Sequence, residues 1–318
     1  MKRFTTVTAA LVLVTATACG SGGSGETDDG TITMGFAQVG AESGWRTANT
    51  ESIRQAAEDA GIDLQFSDAQ QKQENQIRAI RSYIQQDVDV IAFSPVVETG
   101  WDAVLLEAQR ADIPVILTDR AIDSDDTSLY ETFLGSDFVE EGRKAGQWLV
   151  ENAEGETNVV ELQGTTGAAP AIDRKEGFEE VIAGNPDIEI IATQTGDFTR
   201  AGGKEVMEAF LRSHDDIDVV YAHNDDMGLG AIEAIRAAGM EPGEDIRIIT
   251  VDAVEAGMQA LAAGEINFIV ECNPLLGEQL MELAEKVVAG EEVPERVVVE
   301  ETTFTQEEAE AALPDRRY

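Results

Sequence analysis

With only Cys19 and Cys272 in 318 residues, the sequence cannot build a disulfide framework or a zinc site of paired cysteines. Histidine is as scarce. His214 and His223 are the only two, nine residues apart, and there is no H-E-x-x-H segment. Phosphate-binding loops are missing too: there is no G-x-x-x-x-G-K-[ST], "GTTGAAPA" from 164 lacks the lysine, and "GFAQVGAESG" is not G-x-G-x-x-G. The segment "DSDDTSLYETFL" from 123 starts like a calcium loop, but Ser128 stands where Gly is needed and Leu134 where the final Glu belongs. No metal and no cofactor is therefore expected.

Positive charge is also in short supply. Lys and Arg number 22 against 62 Asp and Glu, and 22 minus 62 gives the net charge of −40. A surface this acidic repels phosphate backbones and anionic head groups, so nucleic acid and bare membrane surfaces are excluded as partners. Acidic excess with little Lys also suits a protein that stays hydrated in salt. No apolar run approaches the roughly 20 residues of a membrane span.

What is present begins with an export signal. Lys2 and Arg3 precede an apolar run through Val14 and small residues ending at Cys19, the pattern of a secretory signal over residues 1–18. The run "ATAC" before a Gly/Ser/Asp linker at 19–30 resembles a lipoprotein cleavage box, which makes Cys19 the lipidated first residue of the mature chain. Membrane attachment through that anchor alone is expected, and Cys272 is then left without a disulfide partner.

From Thr31 onward, short apolar β-rich runs alternate with amphipathic stretches. Runs begin at 31, 63, 88, 113, 157, 188, 217, 246 and 267. Helical patterns such as "TANTESIRQAAEDAG", "QENQIRAIRSYIQQ" and "GGKEVMEAFLRSH" lie between them, with Gly61 and Asn185 as caps. Strands that are apolar throughout and spaced by helices are parallel and buried on both faces. The length suits two cores, so the fold class is α/β: two doubly wound, Rossmann-like lobes. The stretch 128–150 reads as the crossover from the first lobe to the second.

In such sheets ligands bind beyond the carboxyl ends of the strands. The residues found there are Ser43, Trp45 and Arg46; Asp119 and Arg120; Arg174; Asp197, Phe198 and Arg200; His223, Asn224 and Asp225; Asp252; and Glu271 with Asn273. Aromatic, guanidinium and carboxylate groups together suit a sugar. Each hydroxyl both donates and accepts, and the C–H faces of the ring lie flat on aromatic rings. Taken singly, Trp45 reads equally well as packing and Asp119 with Arg120 as a surface ion pair; the agreement of seven strand ends favours a site. His214 reads as a solvated loop residue and His223 as a support that orients Asn224. Asp225 and Asp226, adjacent at a helix start, point about 100° apart and make a poor metal pair.

The segments "GFAQVGAESGWR", "DAQQKQENQIRAIRSYI", "SPVVETGW", "TDRAID", "VVELQGTTGAAPAIDRKEGF", "GDFTR" and "YAHNDDM" closely resemble the periplasmic galactofuranose-binding proteins of sugar ABC transporters, within the type I sugar-binding proteins. The resemblance runs from about Thr31 to the C-terminus. It implies two lobes joined by three crossing segments, with lobe boundaries at 31–134 plus 274–301 and 135–273 plus 302–318. It implies no enzymatic activity, a monosaccharide ligand, an ABC permease as partner and a monomer, exported and lipid-anchored. Carried over, the sugar contacts fall on Trp45, Arg46, Asp119, Arg120, Arg174, Phe198, Asn224 and Asp252. The last hinge segment, "ECNPLLG", is one residue shorter than the related pattern, and Glu271 or Asn273 fills its contact. In this reading Asn224 clasps the ligand, Asp225 starts the next helix and Asp226 is structural. Two rivals share parts of the pattern: an exported glycosidase using Asp119 and Asp252, and the core of a sugar-responsive regulator.

Overall fold

The computed structural model describes residues 30–318; the signal segment, Cys19 and most of the linker lie outside them. Chain order is β1 (Thr33–Gln38), α1 (Gly44–Ala60), β2 (Asp63–Asp68), α2 (Gln73–Gln85), β3 (Val90–Phe93), α3 (Asp102–Arg110), β4 (Val115–Thr118) and β5 (Thr132–Gly135). It continues with α4 (Phe138–Asn152), β6 (Thr157–Gln163), α5 (Ala169–Ile182), β7 (Ile188–Thr195), α6 (Arg200–Ser213), β8 (Val219–Ala222) and α7 (Asp225–Ala237). It ends with β9 (Arg247–Asp252), α8 (Glu255–Ala262), β10 (Phe268–Glu271), α9 (Gly277–Val288), β11 (Arg296–Val298), β12 (Thr303–Phe304) and α10 (Gln306–Ala312).

Two six-stranded sheets result, with orders β11-β5-β4-β3-β1-β2 and β12-β10-β9-β8-β6-β7. The order is the same in both, so the chain uses one doubly wound plan twice. The first sheet is parallel throughout, and in the second only β12 runs antiparallel, against β10. Successive strand residues alternate faces. Val90 and Ala92 of β3 enter one apolar cluster with α1 and α9, while Ile91 and Phe93 enter another with α2 and α3. Both faces are covered, which is why the strands read as unbroken apolar runs.

The chain passes between the sheets three times: at 136–137 after β5, at 272–276 after β10, and at 299–302 between β11 and β12. Three strands absent from the sequence reading, β5, β11 and β12, each lie beside a crossing. β11 and β12 are three and two residues long and not buried, so neither length nor burial marks them, while β5 is buried but has only Phe133 and Leu134 as apolar residues between Thr132 and Gly135. Gly61 does cap α1, in the left-handed conformation with its N–H donating to Ala57 O and Glu58 O. Asn185 does not cap α5. The cap is Ala183, and the Asn185 side chain instead accepts from the N–H of Asp187 in the following turn.

Candidate functional site

The carboxyl ends of both sheets face each other across a cleft lined by Glu42, Ser43, Trp45, Arg46, Asp119, Arg120, Pro170, Arg174, Phe198, Asn224, Asp252 and Cys272. The lobes are drawn together over it. Asp226 Oδ2 accepts from Gly44 N at 2.8 Å, and Glu98 N donates to Gly167 O at 2.9 Å, both across the cleft. The non-atom space in the cleft, its open mouth included, is about 290 Å³.

The first lobe contributes an ion network. Ser43 caps α1 by accepting from Arg46 N, which places Trp45 and Arg46 in the first turn. Arg46 donates to Glu42 at 3.0 Å, Asp119 at 2.7 Å, Gln38 at 3.2 Å and Ser94 at 3.4 Å. Burial alone would lower its pKa, but Asp119 and Glu42 outweigh burial and raise it. Its donors are thus mostly consumed by the protein, and its role is to fix Asp119 and Glu42. Trp45 lies under its guanidinium, 4.6 Å from the ring centroid, and ties its own Nε1 to Cys272 O at 2.7 Å.

Arg120 differs. Its nearest anion contacts are long, 3.7 Å to both Glu42 and Asp119, its one hydrogen bond is to Val96 O at 3.3 Å, and its Nε has no partner although buried. Burial, then Arg46, pushes its pKa down to about 10, so it stays charged at neutral pH. Glu42 Oε2 is likewise buried without a partner. An unmet donor and an unmet acceptor beside one cavity are what a bound polyol would satisfy.

The second lobe answers with Arg174, Phe198, Asn224 and Asp252. Arg174 donates to Glu141 through Nε and to His223 O through Nη1, both at 2.6 Å, and stands 3.8 Å from Asp252. Burial alone would lower its pKa, and Glu141 chiefly raises it. Helices α4 and α5 approach closely enough for this because Gly142 has no side chain: a Cβ there would sit 2.2 Å from Arg174 O. Phe198 faces Arg120, whose guanidinium carbon lies 5.3 Å from the ring centroid. Asn224, a lining residue, caps α7 by accepting from Met227 N and donates to Phe198 O at 3.1 Å, which leaves one amide N–H and one lone pair unspent. The Asp252 carboxyl is pushed well up by burial, with Asp225 and Asp226 adding to it against Arg174.

Asp119, Phe198 and Asp252 all have positive φ, of 64°, 60° and 121°. Such strain in side-chain-bearing residues concentrates at functional sites, and no sequence pattern announces it.

Several placements differ from the sequence reading. Glu271 does not reach the cleft: its carboxylate accepts from Arg316, Tyr318 and Thr302 N, facing the C-terminal segment. Asn273 does not reach it either, because its Oδ1 accepts from Leu275 N in a local turn. Cys272, between them, lines the cavity. His223 does not orient Asn224. Its Nδ1 accepts from Gly164 N and its Nε2 donates to Glu161, a neutral tautomer consistent with burial lowering its pKa. Asp225 does start α7, and its carboxylate accepts from Thr250 and Val254 N; burial raises its pKa to about 7. Asp197 and Arg200 do not line the cavity: Asp197 accepts from Thr195 Oγ1 and Arg200 pairs with Glu233. Glu42 was missed: it lies in the loop just before the Ser43 cap, and only the turn into α1 brings it 3.0 Å from Arg46.

Among the described residues no helix is long and apolar enough to cross a membrane. The model of the periplasmic binding protein domain matches residues 34–292. The galactofuranose-binding protein YtfQ of Escherichia coli (strain K12) is 56% identical over 174 residues, 54% of this chain and 55% of that protein. A crystal structure from Mycobacterium smegmatis in complex with β-D-fucofuranose is 67% identical with a TM-score of 0.88, over 90% of this chain and 95% of that one. The periplasmic binding protein component of the arabinose ABC transporter from Shewanella sp. ANA-3, bound to α- and β-L-arabinofuranose, is 50% identical with a TM-score of 0.87, over 90% and 96%. These relatives are binding proteins rather than enzymes or regulators, which removes the glycosidase and regulator readings. Two Rossmann-like lobes closing on a polar, aromatic-lined cavity, together with the family match, place this exported chain among the periplasmic binding proteins, as a sugar-binding member.

Proposed function

We propose that the chain captures one neutral monosaccharide in furanose form between its lobes and delivers it to the permease of a sugar ABC importer. The observation that carries this reading is the composition of the cavity: guanidiniums of Arg46, Arg120 and Arg174 alternate with carboxyls of Glu42, Asp119 and Asp252 between the rings of Trp45 and Phe198. Three guanidiniums stand among three carboxyl groups, so the cavity offers hydrogen-bond donors and acceptors side by side. The mix satisfies hydroxyls that donate and accept at once. The cleft is small, about 290 Å³ of non-atom space with its open mouth included, which suits one ring and not a chain of rings. The furanose form is suggested by the sugars named with the relatives.

The ligand contacts in this reading are Trp45, Arg46, Asp119, Arg120, Arg174, Phe198, Asn224 and Asp252, with Glu42 and the Cys272 segment added. The lobes 31–134 plus 274–301 and 135–273 plus 302–318 move as bodies about the crossings, and the protein acts as a monomer held to the membrane by acylated Cys19.

Calorimetry against D-fucose, D-galactose, L-arabinose, D-fructose, D-ribose and D-glucose tests the reading, with the bound ring form read from the anomeric carbon of 1-¹³C-labelled sugar. Tight binding with a furanose anomeric signal supports it; exclusive capture of the pyranose, or no binding across the panel, overturns it. Retention of a processed Cys19→Ser variant in the membrane fraction would remove the anchor.

A further inference from the structure

Beyond the cleft, a second cluster of ionisable groups lies where the three crossings meet. Glu301 sits on the third crossing, and its side chain reaches both of the others. Its Oε1 accepts from Ser136 Oγ on the first crossing at 2.5 Å and from Asn273 N on the second at 2.9 Å. Ser136 Oγ is also 3.4 Å from Cys272 Sγ. Facing these is Glu141 of α4, 1% exposed, whose Oε2 is taken by Arg174 and whose Oε1 has no conventional donor. Ligand atoms of Glu141, Cys272 and Glu301 lie within 4.8 Å of one another.

Two carboxyl groups this close in a buried place cannot both ionise without a compensating proton. A hydrogen on Glu301 resolves the geometry, because it supplies the donor that Glu141 Oε1 lacks. We propose that Glu301 is a positioning residue for sugar binding: as a neutral carboxylic acid it ties the three crossings together and donates to Glu141, which aims the Arg174 guanidinium into the cleft. The inference rests on the sugar-binding reading for its effect on affinity, and on the hinge geometry alone for its protonation.

The surroundings support a proton here. Burial, reinforced by Glu141, pushes the Glu301 carboxyl up to about 9. The Cys272 thiol is pushed well up by burial, with Glu141 and Glu301 adding to it, so it remains neutral. The charged groups facing the cluster are Arg174 on α5, beside Glu141; Asp252 beyond it at the end of β9; Lys144 of α4, whose Nζ donates to Glu301 O at 3.1 Å; and Arg296 of β11, which donates to Ser136 O at 3.3 Å. Arg174 already occupies one Glu141 oxygen with positive charge, which makes this a place for a proton rather than for a further cation.

The sign follows from linkage. A carboxyl whose folded pKa lies above its unfolded value contributes most below the unfolded value, and the contribution is lost as pH rises toward about 9. Three full-length proteins, wild type, Glu301→Gln and Glu301→Ala, are titrated with D-fucose from pH 6 to pH 10 and melted without sugar over the same range. The Gln amide keeps both the acceptor and a donor for Glu141 but cannot ionise. We expect its Kd at pH 7 within about twofold of wild type, while wild-type Kd rises roughly tenfold from pH 7 to pH 10 and that of Glu301→Gln rises by less than about threefold. Glu301→Ala should bind at least about tenfold more weakly throughout that range. The wild-type minus Glu301→Gln infrared difference spectrum at pH 7 should show a protonated-carboxyl band.

Parallel pH profiles of wild type and Glu301→Gln, in binding and in melting, would overturn the proposal, as would a Gln variant as impaired as the Ala variant. If wild type binds no D-fucose, the sugar reading loses that ligand, while the melting profiles and the infrared band still decide where the proton is.

Discussion

The backbone N–H of Gly44, in the first turn of α1, donates to Asp226 Oδ2 in the first turn of α7 at 2.8 Å, joining residues 182 positions apart across the cleft. Each lobe thus holds the other at a helix N-terminus. Charged hydrogen bonds contribute roughly 1.5 to 3 kcal/mol when buried and less when partly wet, and burial holds the Asp226 carboxyl above its usual range despite the Gly44 bond. Asp226→Ala should therefore raise the sugar Kd about three- to tenfold and give a more open unliganded ensemble in small-angle scattering, with Asp226→Asn between. An unchanged radius of gyration with an unchanged Kd would count against the contact as a closure element.

Arg120 is the guanidinium with unspent donors, so the shape of its fork should matter more than its charge. Arg120→Lys keeps the cation and loses paired geometry, and the expected outcome in calorimetry is a tenfold to hundredfold loss of affinity with an unchanged melting curve. Arg110→Lys, exposed at the end of α3, is the control. Equal affinity of the two variants would remove Arg120 from the site.

Phe198 is seated by an absence. A Cβ on Gly164 would lie 1.9 Å from Phe198 Cζ, so Gly164→Ala must displace the ring. Overpacking of this kind costs about 1–3 kcal/mol, and sugar affinity should fall on the order of tenfold with it. Gly184→Ala, where the nearest atom is Val181 O at 3.9 Å, should leave both unchanged. Normal binding by Gly164→Ala would show that the ring is not needed where it sits.

Glu161 carries the acid limb of stability. Burial would raise its pKa, but hydrogen bonds from His223 at 3.0 Å and Thr193 at 2.7 Å, with Lys175 at 3.3 Å, hold it down to about 2. A depressed carboxyl contributes fully above its unfolded pKa and loses the contribution as pH falls. The unfolding free energy of wild type relative to Glu161→Gln should shrink by about 3 kcal/mol between pH 6 and pH 2. Denaturant melts at the two pH values check this, and a constant difference would mean that Glu161 is not ionised in the native state.

Much of the site was legible because its chemistry is tied to strand ends, and strand ends are local. Trp45, Arg46, Asp119, Arg120, Phe198, Asn224 and Asp252 each follow an apolar run within a few residues or open the helix after it, Arg174 lies in the second turn of such a helix, and all line one cavity. The hinge contact was not legible. "ECNPLLG" offers Glu271, Cys272 and Asn273 in succession, and which one turns inward depends on the partners waiting outside: Arg316 and Tyr318 draw Glu271 away, and the turn at Leu275 takes Asn273. The three missed strands have the same cause. β11 and β12 are too short to mark themselves and exist through the strands they pair with, and β5 has only Phe133 and Leu134 as apolar residues in a run that its neighbours β4 and β11 define.

By itself the sequence determined the fold class, the two-fold plan and the residues offered at the cleft. These rest on periodicity and on burial of both sheet faces, which are properties of short segments. The tertiary structure alone decided what each offered residue does. Arg46 and Arg120 are the same side chain at the same kind of position, yet the first is spent on Glu42, Asp119, Gln38 and Ser94, while the second keeps an unpaired Nε. Glu141 and Glu301 are 160 positions apart and anonymous among 62 acids. Only the meeting of α4 with the third crossing puts one carboxyl against another in a place too dry for both to be charged.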